Sequence, residues 1–247
     1  YKLIIEYEGT NYVGWQIQDN GNSVQQSLEK AIYKLTNEQV TVFGAGRTDS
    51  GVHAKGQVAH FEISKDFTKD NIRDGMNQYL RPQPIAILNV EKVEDDFHAR
   101  FLAKQRIYQY LIINRRPPLT FQRQLTWAIY KKLDVEKMKE AATFFKGKHD
   151  FNAFRSIDCQ SSTSIKTVDH CSVVNNQESI TIQVAAKSFL HSQVRIMVGT
   201  LVNVGEGKIQ PFDLKKIIEN RDKKINLFQR PSGFVGIINL IVEQQLL

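Results

Sequence analysis

Residues 40–43 and 57–63 are both apolar enough for strands, and the chain between them reads Gly44-Ala45-Gly46-Arg47-Thr48-Asp49-Ser50-Gly51-Val52-His53. The two strands are therefore successive, joined by a glycine-punctuated turn. Three glycines within eight residues permit backbone angles that a Cβ forbids. The turn can thus hold Arg47 and Asp49 in a geometry closed to ordinary loops. Asp49 is the candidate nucleophile; the alternative is that it caps the turn, with Thr48 and Ser50 satisfying nearby backbone groups. A phosphate cradle is not expected, because a GxGxxG fingerprint opens a helix and these glycines precede Arg-Thr-Asp and another strand.

The elements around the loop take a definite order. Residues 2–8 alternate as a strand, and the polar stretch 8–22, which contains Trp15, reads as a loop. Ser23 and Gln26 make a capping box, and Val24, Leu28, Ala31, Ile32 and Leu35 fall on one helix face. After the glycine loop, Ala59, Phe61 and Ile63 alternate inward on the next strand. Thr68 caps a helix reaching about Tyr79, and residues 84–93 form a further strand. The order β-α-β-β-α-β is that of the ferredoxin-like split unit, an antiparallel sheet with helices on one face.

Beyond a polar bridge at 94–100, residues 104–113 are strand-like, with Arg106, Tyr108, Tyr110 and Ile112 on one face; Arg115-Arg116-Pro117-Pro118 ends the strand. A helix capped by Asp134 carries Val135, Met138, Ala142 and Phe145, and an irregular stretch follows at 147–164. Residues 165–174 and 179–186 pair as strands turning at Asn175-Asn176. A helix at 190–204 stops at Gly205, Pro211 opens another, and 234–242 makes a last strand. The second half approximates the first, with one extra helix. The expected fold class is α+β: two ferredoxin-like β-α-β-β-α-β units, residues 1–103 and 104–247, with antiparallel sheets joined edge to edge into one continuous central sheet. Helices lie on one side, and the active-site cleft opens between the units.

A chain of 247 residues, 41% hydrophobic, can bury a substantial core, and its net charge of +7 suits a polyanionic partner without requiring one. No run approaches the roughly 18 apolar residues of a membrane span, and the start lacks a charged n-region followed by an apolar h-region. A soluble, cytoplasmic protein with no membrane partner is expected. Cys159 and Cys171 suggest no disulfide framework. His170-Cys171 has no zinc spacing, and on a strand these neighbours point to opposite faces, so no metal is expected.

Tyr108 and Tyr110 beside Arg106 suit stacking on an exposed base, or else pack in the core with their hydroxyls satisfied. Arg195 lies among Val194, Ile196, Met197 and Val198, in a segment suited to burial. A buried cation needs a carboxylate. It either makes an ordinary ion pair, snorkels to water, or reaches Asp49 and keeps that carboxylate ionised.

The loop, continuing to Gly56-Gln57-Val58, resembles the central motif of the TruA-like family of tRNA pseudouridine synthases. Tyr7-Glu8-Gly9-Thr10 with Gly14-Trp15-Gln16 resembles the family's opening. Phe97-His98-Ala99-Arg100-Phe101 and Arg106-Ile107-Tyr108-Gln109-Tyr110 resemble its second motif, and Phe189-Leu190-His191-Ser192-Gln193-Val194-Arg195 with Gly199 its third. The matches run in order along nearly the whole chain. Asp150-Phe151-Asn152-Ala153-Phe154-Arg155 also fits, with no catalytic role assigned to it. Gly233 is followed by Phe234 where the family usually places leucine, and phenylalanine can fill the same apolar wall.

The resemblance implies the pseudouridine synthase fold and a cofactor-free isomerase acting on uridines 38, 39 and 40 in the anticodon stem-loop of tRNA. It implies a homodimer presenting a basic surface to the tRNA, with no nucleotide cofactor. Asp49 matches the nucleophile, Arg47 the arginine that holds or displaces the target nucleotide, Tyr108 the stacking tyrosine, and Arg195 the arginine paired with the aspartate. Uracil is detached, rotated and rejoined through carbon. Flipping the base out costs a few kcal/mol, and stacking on Tyr108, on the order of 1–3 kcal/mol, offsets it. Attack at C1′ or at C6 both remain open, and Tyr108 is a candidate acceptor for the C5 proton. Two other classes compete: a non-catalytic RNA-binding protein or tRNA chaperone using the same basic cleft, and a phosphotransferase with an aspartyl nucleophile. The latter would want further acidic metal ligands near Asp49, and none follows in the loop.

Overall fold

The computed structural model describes residues 1–157 and 159–219 and the backbone of 237–240. One compact unit is Tyr1–Lys104 together with Ile237–Leu240, and the other begins at Gln105.

The first unit contains β1 (Lys2–Tyr7), α1 (Val24–Thr36), β2 (Phe43–Gly44), β3 (His53–His60), α2 (Lys69–Leu80), β4 (Ile85–Glu91) and, from the end of the chain, β10 (Ile237–Leu240). Strand β1 is central, antiparallel to both β3 and β4. The far edge of β3 is shared. Its C-terminal end takes β2 antiparallel at Ala59 and His60, and its N-terminal end takes β10 parallel at His53 and Ala54.

Both helices begin where a side chain replaces a missing helical acceptor. Ser23 Oγ accepts from the Gln26 N–H at 3.1 Å, and Thr68 Oγ1 from the Asn71 N–H at 3.2 Å. Helix α1 ends at Asn37, whose left-handed φ of 61° lets its N–H reach the Tyr33 carbonyl at 2.8 Å. Leu28 and Ile32 of α1 and Ile72 and Met76 of α2 pack on Leu3, Ile5, Ala59 and Phe61 of the sheet. Each fully buried side chain of this size contributes about 1.5–3 kcal/mol.

The strand expected at 57–63 lies earlier, at His53–His60, and is buried on both faces rather than one. The physical reason is a second covering layer: Val58 packs with Ala45, Phe97, Ala99 and Ala103, supported by Ile4 and Val93. The stretch 94–100, read from sequence as a polar bridge, thus lays Phe97 and Ala99, with Ala103 just beyond it, over the face away from the helices. Of the strand expected at 40–43, only Phe43 and the following Gly44 pair.

The second unit contains β5 (Arg106–Asn114), β6 (Trp127–Ile129), α3 (Val135–Thr143), β7 (Gly147–Asp150), β8 (Ile165–Asn176), β9 (Ser179–Ala186), α4 (Gln193–Gly205) and α5 (Pro211–Glu219). Its sheet runs β5-β9-β8-β7, antiparallel throughout. Asp134 Oδ1 caps α3 by accepting from the Lys137 N–H at 3.1 Å.

Three expectations are corrected here, and one strand is added. The stretch 147–164 is not wholly irregular, because β7 opens it and a single 3-10 turn follows at Asn152–Phe154. That turn is held by an aromatic cluster: the Phe145 and Phe154 rings meet edge-on at 5.2 Å, with Phe151 beside both. The β8–β9 turn falls at Gln177-Glu178, not Asn175-Asn176; Asn176 already pairs with Ser179, and Gln177 supplies the left-handed φ of 58°. Helix α4 starts at Gln193 because Ser192 is left-handed, with φ of 61°, and the Leu190 N–H is taken by Gln193 Oε1 at 2.8 Å. Strand β6, which the sequence did not announce, pairs parallel to β5; a connection of a dozen residues is what allows parallel neighbours. Of the last strand, expected at 234–242, Ile237–Leu240 is formed, and the remainder lies outside the described residues.

Candidate active site

The glycine loop rests on a floor made by β1, β3 and the loop after β1. The Ala45 N–H donates to the Val58 carbonyl at 2.8 Å, and Gln57 Nε2 donates to the Gly46 carbonyl at 2.5 Å. Thr48 points inward: its hydroxyl lies 2.8 Å from the Tyr7 hydroxyl, and its carbonyl accepts from the Trp15 N–H at 3.0 Å. Its neighbours Arg47 and Asp49 are exposed. Gly51, with φ of +77°, turns the chain back so that the Val52 N–H reaches the Asp49 carbonyl at 3.2 Å. Ser50 Oγ donates to the Tyr12 carbonyl at 3.2 Å. The hydroxyls flanking Asp49 are thus anchors to other segments.

Residues of the β1–α1 loop, which the sequence marked as resembling the family's opening motif but to which it gave no role, complete this floor. A Cβ on Gly9 would stand 1.9 Å from the Val52 carbonyl oxygen, and one on Gly14, at φ of +123°, 2.6 Å from the Thr48 oxygen. The Gly9 N–H also donates to His53 Nδ1 at 3.0 Å. The Trp15 indole lies so close over Gly44 that a Cβ there would meet the ring at 2.6 Å. The available signal was the pairing of Gly9 and Gly14 with a tryptophan in a loop otherwise too polar to bury one.

Tyr108 and Arg195 belong to the second unit. Tyr108 is half-buried on β5, its ring edge-on to Phe189 at 5.3 Å. Tyr110 is fully buried and belongs to the core, so of the two strand tyrosines only Tyr108 keeps an accessible ring. Arg106 donates to the Lys187 carbonyl and is a structural clamp between β5 and the end of β9. Arg195 lies in the first turn of α4 and is half-buried rather than enclosed. Phe234 lies outside the described residues. Among the described residues no group of three or more His, Cys, Asp or Glu side chains is placed to hold a metal ion. Burial pushes the Cys171 thiol up to about 12, which keeps it protonated at neutral pH. No helix among the described residues is long and apolar enough to cross a membrane.

An α+β fold that holds a carboxylate and a guanidinium on a hydrogen-bonded, glycine-built loop, in a chain of net charge +7, has the character of an enzyme for an anionic substrate. The chain belongs to the tRNA pseudouridine synthase family, which it matches over residues 3–102 and 141–231. It is 50% identical over 224 residues to the tRNA pseudouridine synthase A of Ehrlichia ruminantium, covering 90% of this chain and 91% of that protein. Identity is likewise 50% over 224 residues with the enzyme of that name from Methylocella silvestris, covering 91% of this chain and 90% of that one. It is 48% over 223 residues with that from Maricaulis maris, covering 90% of each. A solved chain from a Cbf5-Nop10-Gar1 complex is similar at a TM-score of 0.30 and 11% identity over 83% of this chain and 55% of that chain, a likeness too weak to bear on the fold.

Proposed function

We propose that this chain isomerises uridine to pseudouridine at positions 38, 39 and 40 of the anticodon stem-loop of tRNA, acting in the cytoplasm as a homodimer, with Asp49 as nucleophile. Isomerase activity on tRNA uridine follows from membership of the family. The observation that supports the assignment of Asp49 is the asymmetry of its loop. Thr48, Gly46 and Ser50 are all anchored, while the carboxylate of Asp49 and the guanidinium of Arg47 stand exposed two residues apart. Preorganisation of this kind lowers a barrier because no ordering is left to do when the substrate arrives.

In the proposed reaction the carboxylate forms a bond at C1′ of the ribose or at C6 of the ring, and the N1–C1′ bond breaks. Uracil rotates and C5 bonds to C1′; the bond to the Asp49 carboxylate breaks, displaced by C5 if it was made at C1′ or eliminated from C6 if it was made there. The C5 proton leaves and N1 takes one up, and the carboxylate is regenerated. Atoms and electrons balance without oxidant, reductant or nucleotide. Arg47 holds the displaced nucleotide through charge-assisted hydrogen bonds to phosphate. Tyr108 stacks on the flipped base, Arg195 supplies positive charge for the carboxylate, and Phe234 the apolar wall. The nucleophile lies in the first unit, and the stacking tyrosine and second arginine in the second.

The test is incubation with unmodified tRNA, without added metal or nucleotide, followed by mapping of pseudouridine. Conversion at 38–40 by the native protein and none by Asp49→Ala, with tRNA binding retained by both, is the expected result. Turnover near the native rate in Asp49→Ala overturns the nucleophile assignment. Binding by the native protein without conversion favours the non-catalytic reading.

A further inference from the structure

The connection from β5 to α3, which includes β6, is one-sidedly charged. From Asn114 to Leu133 it carries Arg115, Arg116, Arg123, Lys131 and Lys132 and no acidic residue. Its ends are pinned by one side chain. Asn114 Nδ2 donates to the carbonyls of Ile129 and Lys131 at 2.8 and 2.7 Å, while its Oδ1 accepts from the Leu133 N–H at 3.0 Å. Gln122, with φ of 56°, gathers the returning limb: its carbonyl accepts from Thr126 Oγ1 at 2.8 Å and from the Leu125 N–H at 3.0 Å. The connection is therefore a folded arm and not a slack linker.

Two of its cations are engaged. Arg115 pairs with Glu178 at 3.1 Å and reaches the carbonyls of Pro117 and Pro118; Lys131 Nζ donates to the Glu206 carbonyl at 2.8 Å, the Glu206 carboxylate being taken by Lys208. Arg116, Arg123 and Lys132 are exposed and form no ion pair with any described residue. Phe121 is 86% exposed and Tyr130 57%. Uncompensated cations interleaved with exposed rings match both parts of an RNA strand, phosphate and base face. A second copy of the chain fits less well, because a two-fold contact would set these like charges against themselves.

We propose that residues 115–132 form an RNA-binding arm in which Arg116, Arg123 and Lys132 contact tRNA phosphates and Phe121 stacks on an unpaired base. The proposal rests on tRNA as the substrate. It is tested by titrating the full-length protein with an unmodified tRNA transcript across a salt series. Replacing Arg116, Arg123 and Lys132 together by serine should lower the slope of log affinity against log salt by about 2–3, one for each lost phosphate contact. The variant with Arg116→Lys and Arg123→Lys keeps the native slope. Phe121→Ala weakens binding by about tenfold or more with the slope unchanged. A native slope in the triple serine variant overturns the proposal. So does a fall in oligomer size at unchanged slope, which assigns the arm to a contact between copies. Binding is read without turnover, so a native protein that made no pseudouridine would overturn the proposed reaction and leave this result standing.

Discussion

The hydroxyls of Tyr7 on β1 and Thr48 in the glycine loop lie 2.8 Å apart, both residues buried, with Asp49 exposed one residue further along. This contact joins the centre of the sheet to the backbone that carries the candidate nucleophile. Removing either hydroxyl leaves the other buried without that partner, at a cost of about 1–3 kcal/mol, whereas removing both avoids part of the penalty. Tyr7→Phe and Thr48→Val should each lower stability to urea, and the double variant should lose less than their sum by about 0.5–1.5 kcal/mol. Strict additivity would show that the two side chains do not act as a pair. Each single variant should also lower kcat, since the loop is then less firmly seated beneath Asp49.

Gly9 and Gly51 distinguish close approach from backbone angle as the reason for a glycine. A Cβ at Gly9 would collide with the Val52 carbonyl at 1.9 Å, while at Gly51 nothing lies within 4 Å and only the φ of +77° resists substitution. Gly51→Ala should therefore cost about 1–2 kcal/mol with residual activity. Gly9→Ala must displace the loop itself and should lose activity by a factor of 100 or more. Urea unfolding together with kcat on tRNA reads both, and equal effects from the two substitutions would contradict this distinction.

Those two glycines also show what the sequence could and could not convey. Gly51 sits in a run whose spacing announces a special turn, and with it Arg47 and Asp49 were legible. Gly9 acts through a contact with Val52, more than forty residues away, and its place in the loop with Gly14 and Trp15 does not reveal that partner. The same division runs through the fold. Caps at Ser23, Thr68 and Asp134 were readable because cap and helix are adjacent in the chain. The two-sided burial of β3 was not, because its second cover is Phe97, Ala99 and Ala103, recruited from a stretch that looked polar. Tyr108 and Tyr110 share a strand face and so could not be separated by alternation; what packs over each decides that one is core and the other accessible.

His60 makes stability depend on pH. Its Nδ1 accepts from the Ala99 N–H at 3.2 Å, its ring stacks on Phe43 at 5.1 Å, and the His98 ring lies 4.7 Å away. Burial, and then the charge of His98 and the Tyr1 amine, hold its pKa below the ordinary histidine value, against weaker opposition from the Phe43 carbonyl and Glu62. The unfolded chain, with a histidine near 6.5, therefore binds the proton more readily than the folded one. The stabilisation is complete above that value and is lost as pH falls through the lower folded value. Urea midpoints should decline from about pH 7 towards pH 5, and His60→Asn, whose Oδ1 can still accept from Ala99 but does not titrate, should flatten the decline. An equally steep decline in that variant would assign the pH dependence to other groups.

Gln57 separates the stability of the loop from its function. It is fully buried; its Nε2 holds the Gly46 carbonyl at 2.5 Å, and its Oε1 has no hydrogen-bond partner among the described residues. Gln57→Leu leaves the Gly46 carbonyl without this donor, which costs about 1–3 kcal/mol, yet it also removes an unsatisfied buried oxygen of comparable cost. The two effects oppose, so the urea midpoint should move little. Activity should not be spared. Gly46 immediately precedes Arg47, and once its carbonyl is released the guanidinium loses its fixed position; a misplacement on the order of 1 Å costs up to about 100-fold in rate. We therefore expect Gln57→Leu to fold with near-native stability and to convert tRNA uridine at least about tenfold more slowly. Gln57→Glu should instead be destabilised, since it buries a carboxylate against a carbonyl oxygen. A Gln57→Leu enzyme with both native stability and native kcat would show that Arg47 is positioned by the rest of the floor, chiefly Thr48 and Trp15, without help from β3.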